Sequence, residues 1–449
     1  MGLTETRERP EEPVGPALAR YPARRGCRLP AAVPSRVLVA RAREKIRDQW
    51  ARIEEIKQVN QARMLEAFRD ARVSEHHLGG STGYGYGDAG RDVLEEVYAR
   101  VFEAEAALVR PQIASGTHAI TACLFGVLRP GDTLLSISGP PYDTLRKVIG
   151  PEGACAPSDS GSLAAFGIGY KEVPLDRDGG LDLEGIKRAV GNPDVRMVLL
   201  QRSRGYSLRP AIGISQISEA AKLVKSHAPQ AVFFVDNCYG EFVETLEPPA
   251  VGVDLIAGSL IKNPGGALAP GGGYIAGRSR LVEMAAGRVI APGIGRGVGP
   301  TLGLVRPLLH GVFTAPHVVG EALLGAVIAA AVFEDLGFEV APRYDDPRAD
   351  VIQVIVLGSQ ERVLAFCTGI QRASPVDSHV NPRPGPVPGY EDLVVMAAGC
   401  FIQGSSIELS ADAPLRPPFA VYLQGGVCKE HVELGIISVV DELAAGNLI

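Results

Sequence analysis

The sequence has no basic excess, no paired-cysteine motif and no basic-then-apolar leader. Of its 449 residues, 45 are Lys or Arg and 51 are Asp or Glu, a formal net charge of −6 at pH 7. A general nucleic-acid binder needs a basic face or tail to neutralise phosphates, so that class is excluded. The seven cysteines (27, 123, 155, 238, 367, 400 and 428) are odd in number, widely spaced and without any C-x-x-C. Neither a disulfide framework nor a structural zinc site fits that spacing, which points to a reducing, cytoplasmic setting. Met1-Gly2 with Thr6 matches a myristoylation pattern, but a match so short arises readily by chance. The most apolar run, residues 318–333, contains Glu321 and continues into Glu334 and Asp335, which reads as a buried helix rather than a membrane span. Glycine is frequent at 53 residues, yet it is dispersed and no internal repeat is visible, so collagen-like and low-complexity classes fall away.

What is present is an ordinary globular composition, 46% hydrophobic and 21% charged. At about 150 residues per domain, the length suggests two or three domains. Residues 1–35, rich in Pro, Arg and Glu, read as an exposed arm, followed by a helix over 37–70 with apolar residues at Ile46, Trp50, Ile53 and Ile56. A glycine-rich loop (76–90) and an amphipathic helix (92–105) come next. Apolar strands at 133–138, 197–201, 231–235, 255–260 and 273–276 then alternate with helices at 119–128, 183–190 and 214–227. Strands apolar throughout and separated by helices predict an α/β fold with a mostly parallel sheet covered on both faces. After the long apolar helix, strands at 351–356 and 419–423 suggest a smaller α+β domain. The expected division is an arm and helix (1–74), a large domain (75–316) and a small C-terminal domain (317–449).

Two residues dominate the chemistry. Asp236 closes the buried strand Phe233-Phe234-Val235-Asp236, and Lys262 follows 26 residues later, just after another apolar strand. In doubly wound sheets ligands sit at the carboxyl ends of strands, so both face one crevice. A buried lysine forms Schiff bases, and an acid aimed at a pyridine nitrogen keeps that ring protonated. Together they are the pair that pyridoxal 5'-phosphate (PLP) chemistry requires. A phosphate site is expected at Ser115-Gly116-Thr117, before a helix whose free N–H groups suit a dianion, with Ser259 as a further hydroxyl. Tyr142, after the 133–138 strand, is placed to cover a cofactor ring.

The order Ser-Gly-Thr, Tyr, Asp, Ser-x-x-Lys resembles fold type I PLP enzymes, in particular the Cys/Met-metabolism lyases. Longer phrases are more specific. Thr82-Gly83-Tyr84-Gly85-Tyr86, Arg110-Pro111-Gln112-Ile113-Ala114-Ser115-Gly116-Thr117-His118-Ala119, Gln201-Arg202-Ser203-Arg204-Gly205-Tyr206, Val235-Asp236-Asn237-Cys238-Tyr239-Gly240-Glu241-Phe242 and Ser259-Leu260-Ile261-Lys262-Asn263-Pro264-Gly265-Gly266 are similar to the aluminium-resistance, methionine γ-lyase-like family over residues 75–445. The resemblance implies that Lys262 holds PLP as an imine, Asp236 pairs with the pyridinium, Gly116, Thr117 and Ser259 bind the phosphate, and Tyr142 covers the ring. It further implies a homo-oligomer, dimer or tetramer, in which a neighbouring subunit's tyrosine completes the phosphate site; Tyr86 matches that position, with Tyr84 as a rival. The arginine usual two residues later is Asp88 here, and the usual second hydroxyl before the lysine is Ile261. For the substrate carboxylate the family uses a C-terminal arginine; Arg416 is the first choice and Arg383 the second, while Arg204 could touch the ring hydroxyl or the substrate.

The implied activity is β- or γ-elimination on an L-amino acid bearing a thiol, thioether or halide leaving group. Its rivals are β/γ-replacement, transamination, and a PLP-fold binding protein without catalysis. Other signals are set aside. Gly85-Tyr86-Gly87-Asp88-Ala89-Gly90 fits a dinucleotide fingerprint but follows no strand, the later glycine runs lack a P-loop lysine, and His76-His77 has no third metal ligand. No metal is expected.

Overall fold

The computed structural model describes residues 34–150 and 161–449, so the arm expected over 1–35 lies almost wholly outside them. The chain enters on two helices, α1 (Ser35–Lys45) and α2 (Arg47–Asp70), where the sequence pattern suggested one. At Ile46 the backbone leaves helical geometry (φ −96°, ψ 15°). Its N–H still reaches the Ala42 carbonyl and its own carbonyl still accepts from Trp50, so the element is kinked rather than broken. Asp88 accepts the Arg91 N–H and caps α3 (Ala89–Val101), which therefore starts earlier than its apolar pattern alone suggests.

The large domain alternates strand and helix: β1 (Ala106–Arg110), α4 (Gly116–Val127), β2 (Thr133–Ser136), α5 (Asp143–Ile149), β3 (Gly169–Glu172), α6 (Leu183–Val190), β4 (Val195–Gln201), α7 (Ile214–His227), β5 (Val232–Asp236), β6 (Leu255–Ser259), β7 (Gly273–Gly277) and α8 (Ser279–Val289). The described strands form one sheet in the order β1-β7-β6-β5-β4-β2-β3. β7 runs antiparallel to β6 and β1, and the other pairs are parallel. Alternate residues of each central strand enter different cores. Val198, Leu200, Phe233 and Val235 pack on one face, Met197, Leu199, Val232 and Phe234 on the other. Burial on both faces is the reason these strands read as apolar throughout.

The apolar run becomes α9 (Val305–Asp335), nearly twice the expected length and passing through Pro316. Among the described residues it alone is long and apolar enough to cross a membrane, and almost all of its most apolar part is buried inside the protein. The boundary placed after residue 316 falls inside this helix. Beyond it lie β8 (Glu339–Ala341), β9 (Gln353–Val356), α10 (Gln360–Arg372), β10 (Val394–Ala397), β11 (Ser410–Pro414), β12 (Ala420–Gln424) and α11 (Lys429–Ala445). Their sheet, β10-β11-β12-β9-β8, is antiparallel throughout. The architecture is thus α/β, a mostly parallel sheet with a separate antiparallel sheet beside it.

Candidate active site

The carboxyl ends of β4, β5 and β6 stand side by side, with Gln201 opposite Asp236 and Asp236 opposite Ala257. Asp236 and, just beyond β6, Lys262 therefore enter the same crevice, as the strand pattern predicted. The turn after Lys262 is fixed by packing. A Cβ on Gly265 would fall 1.6 Å from the Leu260 carbonyl, and one on Gly266, at φ +52°, would lie 2.3 Å from the Gly311 carbonyl of α9. Only glycine permits that approach. Asn263 Nδ2 donates to the Glu241 carbonyl (2.9 Å) and Tyr98 Oη to the Pro264 carbonyl (3.3 Å), which pins the turn from two sides.

Lys262 is held over the ring of Tyr239, with Nζ 4.0 Å from the ring centroid. Burial works against its ammonium, but Cys238, Tyr239, Asp236 and Tyr142 around it outweigh that and keep its pKa well above the ordinary lysine value. Asp236 is buried, and its carboxylate accepts the Cys238 N–H (3.2 Å) and meets the Cys238 thiol. Burial raises its pKa, opposed by Lys262 and the Cys238 N–H.

The phosphate loop backs directly onto both strands. A Cβ on Gly116 would sit 3.2 Å from Cys238 Sγ and 3.3 Å from Ser259 Cβ. The amino end of α4 thus meets the ends of β5 and β6 closely, and a side chain at Gly116 would push on both. Ser115 Oγ accepts the His118 N–H (3.1 Å), so its oxygen caps the helix while its O–H remains free to donate. Thr117 Oγ1 and Tyr142 Oη are 2.8 Å apart, and the Tyr142 N–H donates to Gln201 Oε1 (2.9 Å). Burial pushes the Tyr142 phenol upward, so it stays protonated. The structure brings together Ser115, Gly116, Thr117, Tyr142, Asp236, Ser259 and Lys262. A buried carboxylate that makes no ion pair among the described residues, a half-buried amine and a glycine cradle at a helix amino end fit PLP: Lys262 would hold its aldehyde, Asp236 its ring nitrogen and the α4 terminus its phosphate.

Other predicted residues stand apart. Tyr84 and Tyr86 stack on one another (5.4 Å) and are 68% and 75% exposed. Asp88, in the place of the usual arginine, accepts from the Ser81 and Thr301 hydroxyls and caps α3, so its role here is structural. Arg416 is half-exposed and committed to Asp392 (3.0 Å) and the Tyr206 carbonyl (3.1 Å). Arg383 is exposed on the 373–393 segment. Arg204, expected near the ring or substrate, points elsewhere. It is buried and bonds Asp350 (3.3 Å) and the Ala341 carbonyl (3.0 Å), tying the end of β4 to the small domain. Arg204→Ala removes the ion-pair partner of the buried Asp350, which keeps two backbone N–H donors, with an expected loss of about 3 kcal/mol in denaturant unfolding and retained binding of amino acids.

Several neighbours escaped sequence reasoning. Tyr239 lies in a phrase that was singled out, yet nothing local shows its ring beneath Lys262. From the small domain, Asp412 on β11 accepts from Tyr206 Oη (2.8 Å) and Gln424 Nε2 (2.9 Å). Tyr206 packs against Tyr390 (5.1 Å) and Tyr422 (5.3 Å). These residues come from segments far apart in the chain, and no spacing links them.

With that geometry established, comparison with known proteins is decisive. The methionine gamma-lyase family profile matches residues 35–444. The chain belongs to that family. Among its family relatives is the uncharacterized protein YnbB of Bacillus subtilis, 52% identical over 397 residues, which cover 88% of this chain and 93% of YnbB. A carbon-sulfur lyase involved in aluminium resistance from Clostridium novyi is 48% identical with a TM-score of 0.87, over 91% of this chain and 96% of that one. A Listeria monocytogenes protein, named as a candidate cystathionine β-lyase involved in aluminium resistance, also shows 48% identity and a TM-score of 0.87, over 91% and 99% of the two chains. The PLP-dependent protein YhfS of Escherichia coli, 16% identical with a TM-score of 0.59 over 88% and 97%, shares the fold: fold type I.

Proposed function

We propose that the protein is a PLP-dependent carbon–sulfur lyase that performs β- or γ-elimination on an L-amino acid. The observation that carries this reading is the convergence of Lys262, Asp236 and the Gly116 cradle on one sheet edge. The names of the Clostridium and Listeria relatives support a sulfur leaving group. Bound there, PLP would supply an electron-withdrawing ring that accepts the electron pair left on Cα.

The chain's own residues do the rest. Asp236, at the end of a buried strand, holds a negative charge where a protonated ring nitrogen would need one. The Lys262 amine, once exchanged for the substrate's amine, is the base placed to take the Cα proton. For γ-elimination the same amine moves a Cβ proton, with the Tyr239 ring keeping its charged form in place. Tyr142, neutral and hydrogen-bonded to Thr117, keeps its proton rather than acting as a base. The exposed, stacked Tyr84 and Tyr86 support an oligomer in which they reach a neighbouring subunit's site; an active monomer in size-exclusion chromatography would contradict it.

The test is to incubate PLP-loaded protein with amino acids carrying β and γ thioether, thiol or halide groups and to quantify products. Elimination releases a 2-oxo acid, ammonia and the leaving group in equal amounts. A requirement for a 2-oxo acid acceptor, or for an added nucleophile, would replace this reading with transamination or replacement.

A further inference from the structure

The buried acids of the described residues fall into two sets. Glu95, Glu247, Asp254, Glu321, Asp350 and Glu433 each face an arginine or lysine. Asp88, Asp236, Glu241, Glu408 and Asp412 make no ion pair among the described residues. Two of these five are satisfied by hydrogen bonds and a third is neutral. Asp88 takes two hydroxyls and a helix N–H, and Glu408 takes the N–H groups of Phe401 and Ile402; Glu241 accepts the Tyr274 hydroxyl on Oε1, leaves Oε2 without a partner among the described residues, and is pushed by burial up to about 8, so it stays protonated. Asp236 is assigned to the ring nitrogen. That leaves Asp412.

Asp412 is buried, and both of its neutral donors, Tyr206 and Gln424, reach the same oxygen, Oδ2; Oδ1 accepts no hydrogen bond among the described residues. It lies within electrostatic reach of Lys262, Tyr239 and Tyr390, on the small-domain wall of the site. Lys262 is the cation acting on it in the cofactor-free protein, and in the elimination reading that amine is committed to PLP; a buried carboxylate then held by neutral donors is costly, and a cation brought by a ligand removes that cost. Resting on the elimination reading, we propose that Asp412 is the specificity residue of this site, selecting substrates whose side chain ends in an ammonium or similar cation, which binds at Oδ1.

The titratable groups facing Asp412 are Tyr206 and Tyr239 from the large domain, Tyr390, Cys367 and Cys400 from the small domain, and Lys262. Burial raises every one of those phenols and thiols, so at neutral pH they are uncharged. The Asp412 carboxyl, pushed by burial up to about 6, is mostly ionised there.

The test is calorimetric binding of L-lysine and L-norleucine, which differ by the terminal ammonium, to the PLP-loaded protein. Lysine is expected to bind about tenfold more tightly at neutral pH, the scale of one charge-assisted hydrogen bond. The preference disappears in Asp412→Asn, which keeps an acceptor for Tyr206, and fades as pH falls through about 6, where the carboxyl takes up its proton. Tyr206→Phe leaves the charge in place and retains the preference. Equal binding of the two amino acids to the unaltered protein, or an undiminished preference in Asp412→Asn, overturns this inference alone. If neither amino acid binds to protein that still eliminates a thioether substrate, this inference fails and the elimination reading stands.

Discussion

Replacing Lys262 with alanine is expected to lower elimination by at least about 1,000-fold, the scale seen when a covalent nucleophile and base is removed. The side chain has two jobs that no neighbour can assume. Its amine is fixed above Tyr239, and the glycine turn that follows it is wedged against α9. Borohydride reduction of the PLP-loaded protein followed by peptide mapping should place the adduct on Lys262 and find none in the alanine variant. An adduct on another lysine, or an alanine variant of near-normal activity, would remove the basis for the elimination mechanism. Position 262 is only half-buried, so truncation should leave the fold intact, which circular dichroism checks.

Asp236→Asn is expected to lower activity by about 100- to 1,000-fold while leaving the protein folded and able to bind PLP. Asparagine fills the same space but supplies no negative charge to keep a ring nitrogen protonated. The effect on stability runs in the opposite direction. Burial holds the folded-state pKa of Asp236 above its unfolded value. The ionised carboxylate therefore weakens the cofactor-free fold by an amount that is absent below the unfolded pKa and fully present above the folded one. The asparagine variant escapes that cost, so without PLP at neutral pH it should melt at the same temperature as the parent or higher. A variant that melts lower and also loses PLP would make Asp236 a structural residue instead.

The contrast between Arg204 and Asp412 shows where sequence reasoning reaches and where it stops. Arg204 follows a strand whose end faces the crevice, so a role at the site was a fair expectation from position. Its partners, Asp350 and the Ala341 carbonyl, come from the small domain and draw it away. Asp412 gave no signal at all, because its short strand of small residues has no apolar run and its meaning lies in what β11 faces across the domain boundary. Likewise α9 was visible only where its apolar density was highest, and the kink at Ile46 left no mark in the periodicity.

The sequence by itself determined the α/β alternation, the two-faced burial of the central strands, the Asp236–Lys262 pair and the glycine loop before α4. Each of these is local, since strand burial, helix starts and tight turns impose their demands on adjacent residues. Only the tertiary structure decided which arginines are spent on structure, that Tyr239 lies beneath the lysine, and that the buried Asp412 makes no ion pair among the described residues. Those facts depend on long-range packing between segments, and in that packing the charge of a side chain acquires meaning only from the groups brought against it.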